Sequence, residues 1–321
     1  MNQSKLQHLN TLLDLDRSRL EDVLDLAAVI KREYKASGAV DALKGRTVAM
    51  IFEKPSLRTR VTFEAGMVQL GGAAINLDPS QISLGNRESV KDAVLCLSRW
   101  VDGIVARTFS HKLVMDLAKY ATVPVINALT DLHHPCQALA LGQTLMEKRG
   151  KLTGLRLAFV GDGNNVANSL SELAAHLGMH FILACPKGYE QNPAVLKSLE
   201  PLFRKSGGSY TMTHDAAEGV SQADCIYTDV WVSMGEEAQA EQKKKQFSGF
   251  QVNSALLDKA PAGCLVTHCL PAHVDEEITQ EVMDSERCVC FDEAENRLHA
   301  QKAVLLTLIA GGASAGPIRG R

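Results

Sequence analysis

The feature that most constrains this chain is a rhythm of short apolar runs separated by stretches with helical spacing. Residues 47–52, 73–77, 103–106 and 124–127 read as strands, and residues 16–35, 57–70, 88–100 and 112–120 as helices between or beside them. After a connecting helix at 136–149 a second cycle begins, with strand patterns at 155–160, 180–185, 209–213, 225–228, 263–267 and 288–291. Such alternation is the mark of α/β layering, in which helices flank a mainly parallel sheet. Two cycles predict two α/β domains, residues 1–135 and 136–292. A last helix over 293–310 is expected to pack back on the first domain, with a flexible tail at 311–321. The cleft between two such domains is the expected place for an active site.

Length and charge narrow the function. A chain of 321 residues suits two domains or one large unit. Hydrophobic residues make up 45% and charged residues 22%, as in a soluble globular protein. A net charge of −3 gives no reason to expect a nucleic acid or a membrane as partner. No run approaches the ~20 apolar residues of a membrane span. The first ten residues are polar and have neither a signal core nor an Arg-rich presequence, so a cytoplasmic location is expected. The eight cysteines form no Cys-x-x-Cys, which predicts reduced and mostly buried thiols.

The first run with chemistry is Phe52-Glu53-Lys54-Pro55-Ser56-Leu57-Arg58-Thr59-Arg60, which leaves a strand and opens a helix. Ser56 can cap that helix, and the unpaired amides of its first turn make an anion site. Arg58 and Arg60 are two residues apart and so point to different faces. Arg58, nearer the helix start, is the one expected to grip a ligand, while Arg60 braces the loop through carboxylates. The bland reading of the same residues is a capped helix with two surface arginines. His133 and His134 are adjacent and lack a partner at ligand spacing, so no metal is expected.

Ser56-Leu57-Arg58-Thr59-Arg60 resembles the Ser-Thr-Arg-Thr-Arg carbamoyl-phosphate motif of the aspartate and ornithine carbamoyltransferase family. Leu57 departs from it, losing a hydroxyl and keeping a backbone amide. Arg107 and His134-Pro135-Cys136-Gln137 match further signatures of the family. The resemblance implies that Ser56, Leu57, Arg58, Thr59, Arg107, His134, Gln137 and Arg297 hold carbamoyl phosphate. It makes residues 1–135 the domain for that ligand. In the family a loop just before Glu88 reaches a neighbouring subunit's site; here it offers Ser83, with Gln81 nearby, where many ornithine enzymes have Gln. Shared sites of that kind imply a homotrimer or a multiple of trimers.

Phe159-Val160-Gly161-Asp162-Gly163-Asn164-Asn165 sits where a dinucleotide fingerprint would be. Val166 takes the place of its third glycine, and the next strand ends at Cys185 rather than an acidic residue, so a nicotinamide cofactor is disfavoured. No cofactor is expected. Family resemblance instead assigns Asn165 to the acceptor amino acid, with Asn164 shaping the turn. Asp229-Val230-Trp231-Val232-Ser233-Met234-Gly235 is similar to the ornithine-binding Asp-x-x-x-Ser-Met-Gly motif. A cationic acceptor calls for an acidic residue, whereas aspartate would call for a basic one. Residues 236–245 are charged throughout and read as a solvated helix or loop.

His268-Cys269-Leu270-Pro271 matches the family's His-Cys-Leu-Pro, in which Cys269 and the Leu270 carbonyl approach the reacting groups. Asp292-Glu293-Ala294-Glu295-Asn296-Arg297 resembles its last segment, with Glu293 and Glu295 bracing the helix start. The implied activity is carbamoyl transfer from carbamoyl phosphate to L-ornithine, with Arg107, His134, Asp229 and Cys269 catalytic and Asn165, Asp229, Ser233 and Met234 on ornithine. N-acetylornithine and putrescine are the nearest rival acceptors. A silent binding subunit is disfavoured because the motifs keep their reactive side chains.

Overall fold

The computed structural model describes residues 7–38, 40–78, 88–232, 238 and 240–311. The chain divides into two compact units. One takes in the chain up to Gln143 and resumes at Glu295; the other is Thr144–Ala294.

In the first unit, strands β1 (Thr47–Phe52), β2 (Ala73–Leu77), β3 (Gly103–Arg107) and β4 (Val125–Leu129) form a sheet of order β2-β1-β3-β4. Every pairing is parallel. Parallel neighbours need crossovers, and three of the flanking helices supply them: α2 (Leu57–Gln69), α3 (Val90–Trp100) and α4 (His111–Tyr120). A serine starts each: Ser56 accepts from the Thr59 amide, Ser89 from Asp92 and Ser110 from Lys112, satisfying donors that a helix start leaves unpaired. Helix α1 (Arg17–Ser37) precedes the sheet. Ala49, Ile51, Ile104, Ala106 and Val125 of the strands pack on Val94, Val114 and Leu117 of α3 and α4.

The second unit has strands β5 (Arg156–Val160), β6 (His180–Ala184), β7 (Ser209–Thr213), β8 (Cys225–Thr228) and β9 (Leu265–His268), in the order β7-β6-β5-β8-β9 and again all parallel. Helices α6 (Asn165–Leu177), α7 (Pro193–Ser206), α8 (Ala216–Val220), α9 (Ala240–Phe247) and α10 (Ser254–Leu257) connect them, and α11 (Gln280–Met283) follows β9. The chain passes between units inside two helices, α5 (Pro135–Arg149) and α12 (Cys290–Ile309). Two parallel sheets flanked by helices are the fold class that the alternation of patterns predicts. In each sheet the strand order reverses once, between β1 and β3 and between β5 and β8, and the carboxyl ends of strands at such a switch are the usual ligand position in α/β sheets.

One expected strand is absent. Residues 288–291 contribute a single parallel bridge, Val266 with Cys288, and then turn into α12. The Val289 amide still donates to Val266 O at 2.8 Å, but Val289 O accepts the first bond of the helix, from Glu293 N at 3.0 Å. Phe291, in the first turn of α12, is 71% exposed. A short apolar run cannot by itself separate a strand from the first turn of a buried helix.

The returning part of α12 packs tightly on α2 in the first unit. A Cβ placed on Gly66 would lie 3.2 Å from Lys302 Cγ. Lys302 is fully buried. Its Nζ donates to Gln69 Oε1 at 2.9 Å and stands 4.3 Å from the centre of the Tyr34 ring. Burial pulls its ammonium down to about 8. The folded state therefore holds this proton less readily than the unfolded chain. The cost is fully present at pH 7, below both values, fades as pH rises through about 8, and is gone above the ordinary lysine value. Lys302→Met is expected to stabilise the protein by on the order of 1 kcal/mol at pH 7, with a smaller gain at pH 10. Thermal melts at the two pH values check this, and a lower Tm at pH 7 would show that the Gln69 and Tyr34 contacts outweigh desolvation.

Candidate active site

The sequence-predicted residues of the first unit gather at the carboxyl ends of β1 and β3, whose last residues Phe52 and Arg107 are register partners. Glu53 N donates to Arg107 O at 2.8 Å, and Glu53 Oε2 accepts from the Phe109 amide at 2.8 Å, so the two strand ends are tied together. No local pattern around Glu53 signals that role. Beyond it, Ser56 caps α2 and its side chain accepts from Thr59 N at 3.3 Å. Leu57 is 74% exposed, so the departure from the motif puts a large apolar side chain in solvent at the first helical position. Arg60 pairs with Glu64 one turn along its own helix at 3.0 Å, and not with the loop.

Thr59, Arg107, His134, Gln137 and Arg297 are all buried. Arg297 organises three helices: one guanidinium nitrogen donates to Thr59 Oγ1 of α2 at 2.7 Å and another to Gln137 Oε1 of α5. That bond sets the Gln137 amide, since its oxygen faces the guanidinium. Burial, then the charges of Arg297 and Arg107, hold the His134 imidazole well below the ordinary histidine range. At neutral pH it is uncharged, and one ring nitrogen is a donor while the other can only accept. The unit thus offers fixed cations with a neutral hydrogen-bonding ring, a set suited to an anionic ligand that also carries a carbonyl. Glu295, expected to brace the helix, pairs with Lys31 at 3.0 Å and Lys35 at 2.8 Å.

In the second unit the corresponding place is the carboxyl ends of β5, β8 and β9. Asn164 caps α6, accepting from Val166 N at 2.9 Å and Ala167 N at 3.1 Å. Its amide also donates to Asp229 Oδ2 at 2.8 Å. Asp229 Oδ1 accepts from the Cys269 thiol at 2.7 Å and from Val230 N at 2.8 Å. Asn165 is the first residue of α6. His268 is buried, and its Nδ1 accepts from Leu270 N at 2.8 Å. Hydrogen therefore sits on Nε2, which donates to Glu277 Oε1 at 2.9 Å. Leu270 has φ +56, a left-handed conformation that costs a leucine ~1–2 kcal/mol. The bond from its amide to His268 helps to hold it there. Non-glycine residues of this kind concentrate at ligand sites.

Other contacts shape this end and had weaker signals in the sequence. Lys243 is nearly buried, and its Nζ meets Asp162 Oδ2 at 2.6 Å. Glu293 accepts from Tyr227 at 3.0 Å and from Thr267 at 2.5 Å. Among the described residues, two groups bring three donor atoms within 4.8 Å of one another: Asp229, His268 and Cys269, and also His273, Glu276 and Glu277. Protein partners already engage both, as Cys269 bonds Asp229 and Lys244 meets Glu276 at 2.7 Å. Neither group is assigned to a metal. Ser83, Gln81, Ser233, Met234 and Gly235 lie outside the described residues.

The two glycines of Gly161-Asp162-Gly163 have a local explanation that needs no dinucleotide. Gly161 has φ +151, where a side chain is disfavoured. Gly163 lies against another loop: a Cβ there would stand 2.4 Å from Gln191 N and 2.8 Å from Tyr189 O.

With this geometry in place, the relatives are informative. Residues 7–147 match the model of the aspartate/ornithine carbamoyltransferase carbamoyl-P binding domain, and residues 153–308 that of the Asp/Orn binding domain. The chain is 51% identical over 300 residues to the ornithine carbamoyltransferase of Thermococcus kodakarensis, covering 94% of this chain and 95% of that one. It is 49% identical over 300 residues to the anabolic ornithine carbamoyltransferase of Pyrococcus furiosus, with the same coverage of 94% and 95%. The solved structure of a Pyrococcus furiosus ornithine carbamoyltransferase superposes with a TM-score of 0.93 at 48% identity, covering 96% of this chain and 98% of that chain. That from Thermus thermophilus gives 0.84 at 46% identity, covering 94% and 98%. The chain belongs to the aspartate/ornithine carbamoyltransferase family.

Gly163→Ala is expected to destabilise the protein by about 2 kcal/mol or more, because the atoms it meets are backbone. Urea melts read this directly, and an unchanged midpoint would show that residues 189–191 move aside.

Proposed function

We propose that this chain transfers the carbamoyl group of carbamoyl phosphate to the δ-amine of L-ornithine, giving L-citrulline and phosphate. The observation that carries this reading is the buried Asp229 carboxylate, held by Asn164 and Cys269 at the end of β8. A cationic acceptor amine suits an acidic group there, and an aspartate acceptor does not. Membership of the family and the names of the relatives agree with it.

In this reading Ser56, the Leu57 amide, Arg58, Thr59, Arg107 and Arg297 hold the phosphate end, and His134 and Gln137 hold the carbamoyl group with the Leu270 carbonyl. Asn165, Asp229, Ser233 and Met234 hold ornithine, and Ser83 reaches a neighbouring subunit's site. A side-chain amine with pKa ~10.4 is mostly protonated at pH 7, and delivering it neutral costs about 4.6 kcal/mol. Like-charge repulsion from the arginines and partial desolvation lower that cost. Asp229 and Cys269 orient the neutral amine, which attacks the carbamoyl carbon. Arg107, the Thr59 hydroxyl and the neutral His134 ring then stabilise the oxygen as charge develops on it. Phosphate leaves with Arg58 and Ser56 as partners and takes the amine proton, so no covalent intermediate on the protein is needed. The same reading includes a cytoplasmic homotrimer, or a multiple of trimers, working in arginine biosynthesis.

Product formation from carbamoyl phosphate with ornithine, N-acetylornithine, putrescine or aspartate tests the acceptor. Ornithine is expected to react fastest, and turnover with aspartate alone would overturn the assignment. Arg58→Ala is expected to lower kcat/KM by about 30-fold, or roughly 2 kcal/mol of transition-state binding; near-normal kcat/KM would remove Arg58 from the phosphate end.

His134 makes a separate prediction about pH. Its folded-state pKa is depressed by burial and by Arg297 and Arg107, so the ring is already neutral at pH 6.5 and does not change charge between pH 6 and 8. His134→Asn should therefore lower the rate while preserving the shape of the pH–rate profile over that range. A limb near 6.5 that vanishes in the variant would show a titrating His134.

A further inference from the structure

The Asn164 side chain faces two ways. Its Oδ1 accepts from Val166 N at 2.9 Å and Ala167 N at 3.1 Å. These are the capping bonds of α6, in which residues 166–177 are all buried. An oxygen that takes two backbone amides fixes the side-chain amide against a flip. Nδ2 therefore points the other way, and it donates to Asp229 Oδ2 at 2.8 Å. Backbone bonds hold the base of this side chain. Gly163 N donates to Tyr189 O at 2.8 Å, Asn164 N to Asp162 O at 2.7 Å, and Asn168 N to Asn164 O at 3.0 Å. Asp229 is fixed from its own side. It follows Thr228, the register partner of Val160 in β5, and Thr228 Oγ1 donates to Val160 O at 2.8 Å.

A carboxylate offers about four lone-pair positions, roughly two on each oxygen. Oδ1 of Asp229 accepts from Val230 N at 2.8 Å and from the Cys269 thiol at 2.7 Å, which fills it. Among the described residues, Oδ2 takes one donor, the Asn164 amide. The position left over is on Oδ2. We infer that Asn164 is a positioning residue for carbamoyl transfer: its amide sets the Asp229 carboxylate so that this remaining Oδ2 position receives an N–H of the acceptor amine. The inference rests on the proposed role of Asp229 toward that amine and adds the residue that aims it.

The need for a donor at Oδ2 follows from the freedom of the side chain. The last torsion of an aspartate is broad, so bonds to Oδ1 alone leave Oδ2 free to swing. A reacting group displaced by about 1 Å loses on the order of 100-fold in rate. The Asn164 amide removes that freedom, and it does so from a helix start whose own place is set by backbone bonds. Being neutral, it adds no positive charge of its own beside the site of a cationic acceptor. Capping and aiming thus use different atoms of one side chain, Oδ1 and Nδ2, and substitution can separate them.

Serine and aspartate cap helices about as well as asparagine. Asn164→Ser keeps a cap and removes the donor. Asn164→Asp keeps the cap and the shape, and sets a second carboxylate where the donor was. Steady-state kinetics of the full-length protein at pH 8, with ornithine and carbamoyl phosphate varied in turn, are read beside thermal melts. In Asn164→Ser, kcat/KM for ornithine is expected to fall by about 30-fold, and in Asn164→Asp by about 100-fold. KM for carbamoyl phosphate should stay within about twofold of wild type in both, and the Tm of Asn164→Ser within about 2 °C. Near-wild-type kcat/KM for ornithine in either variant overturns the inference, because a residue that only caps α6 predicts that result. A loss of activity that merely tracks a fall in Tm overturns it too. Asp229→Asn separates this failure from failure of the acceptor reading. If that variant keeps near-normal kcat/KM for ornithine, Asp229 does not meet the amine and the acceptor reading falls. If it loses activity while both Asn164 variants keep theirs, only the role of Asn164 falls.

Discussion

Parallel pairing is the constraint on which the rest of the structure depends. A parallel strand cannot be followed by a hairpin, so each must be followed by a crossover, and all carboxyl ends fall on one edge of the sheet. In both units the order reverses once, and the two strands that flank the reversal send their following loops to opposite sides. Helix starts and strand ends therefore meet at these points without further design. Ser56, Arg107, Asn164 and Asp229 all lie there, each at a strand end or a helix start. The backbone supplies amides and dipoles in advance, and side chains need only choose the charge.

Charge is handled differently at the two edges. In the first unit a buried guanidinium is fixed by neutral acceptors, Thr59 and Gln137. Neither of those two acceptors is a carboxylate, so neither bond cancels its positive field. Part of that field acts on His134, which responds by staying neutral. In the second unit an acidic group is held by donors that are themselves neutral, the Asn164 amide and the Cys269 thiol. Asp229 thereby keeps its negative field. Full ion pairs appear where no free field is needed: Lys243 with Asp162, and Lys31 and Lys35 with Glu295. Neutral partners position the groups with chemistry, and opposite charges brace the scaffold around them.

This division explains what could be read from residues alone. The strand and helix alternation was legible because it repeats over most of the chain and has two distinct periods. Ser56 was legible as a cap because a serine before a helical run has a local partner three residues on. Residues 288–291 were misread because four residues are too few for a period, and Cys-Val-Cys-Phe suits a strand and a buried helix start equally. Long-range partners were not legible at all. Nothing near Arg297 in sequence names Thr59 or Gln137, and nothing near Lys302 names Tyr34 or Gln69. Gly163 lies between these cases. Its turn was evident, but the reason for glycine, the backbone of residues 189–191, is set by tertiary packing.

Leu270 shows how one strained residue follows from the bonds around it. Its amide must reach back to His268 Nδ1, which sets the tautomer so that Nε2 can donate to the buried Glu277. A left-handed φ at Leu270 is the local cost of that reach. The cost is offset because His268 is the last residue of β9, paired with Thr228 of β8, and because Glu277 also accepts from the His273 amide at 2.6 Å, closing the loop on itself. Cys269, between the two constrained residues, has its thiol directed at Asp229. The turn therefore converts a rigid strand end into a fixed sulfur position. That is why His268-Cys269-Leu270-Pro271 behaves as one unit: a change at His268 or Glu277 acts on Cys269 through the backbone of the turn, without touching a ligand.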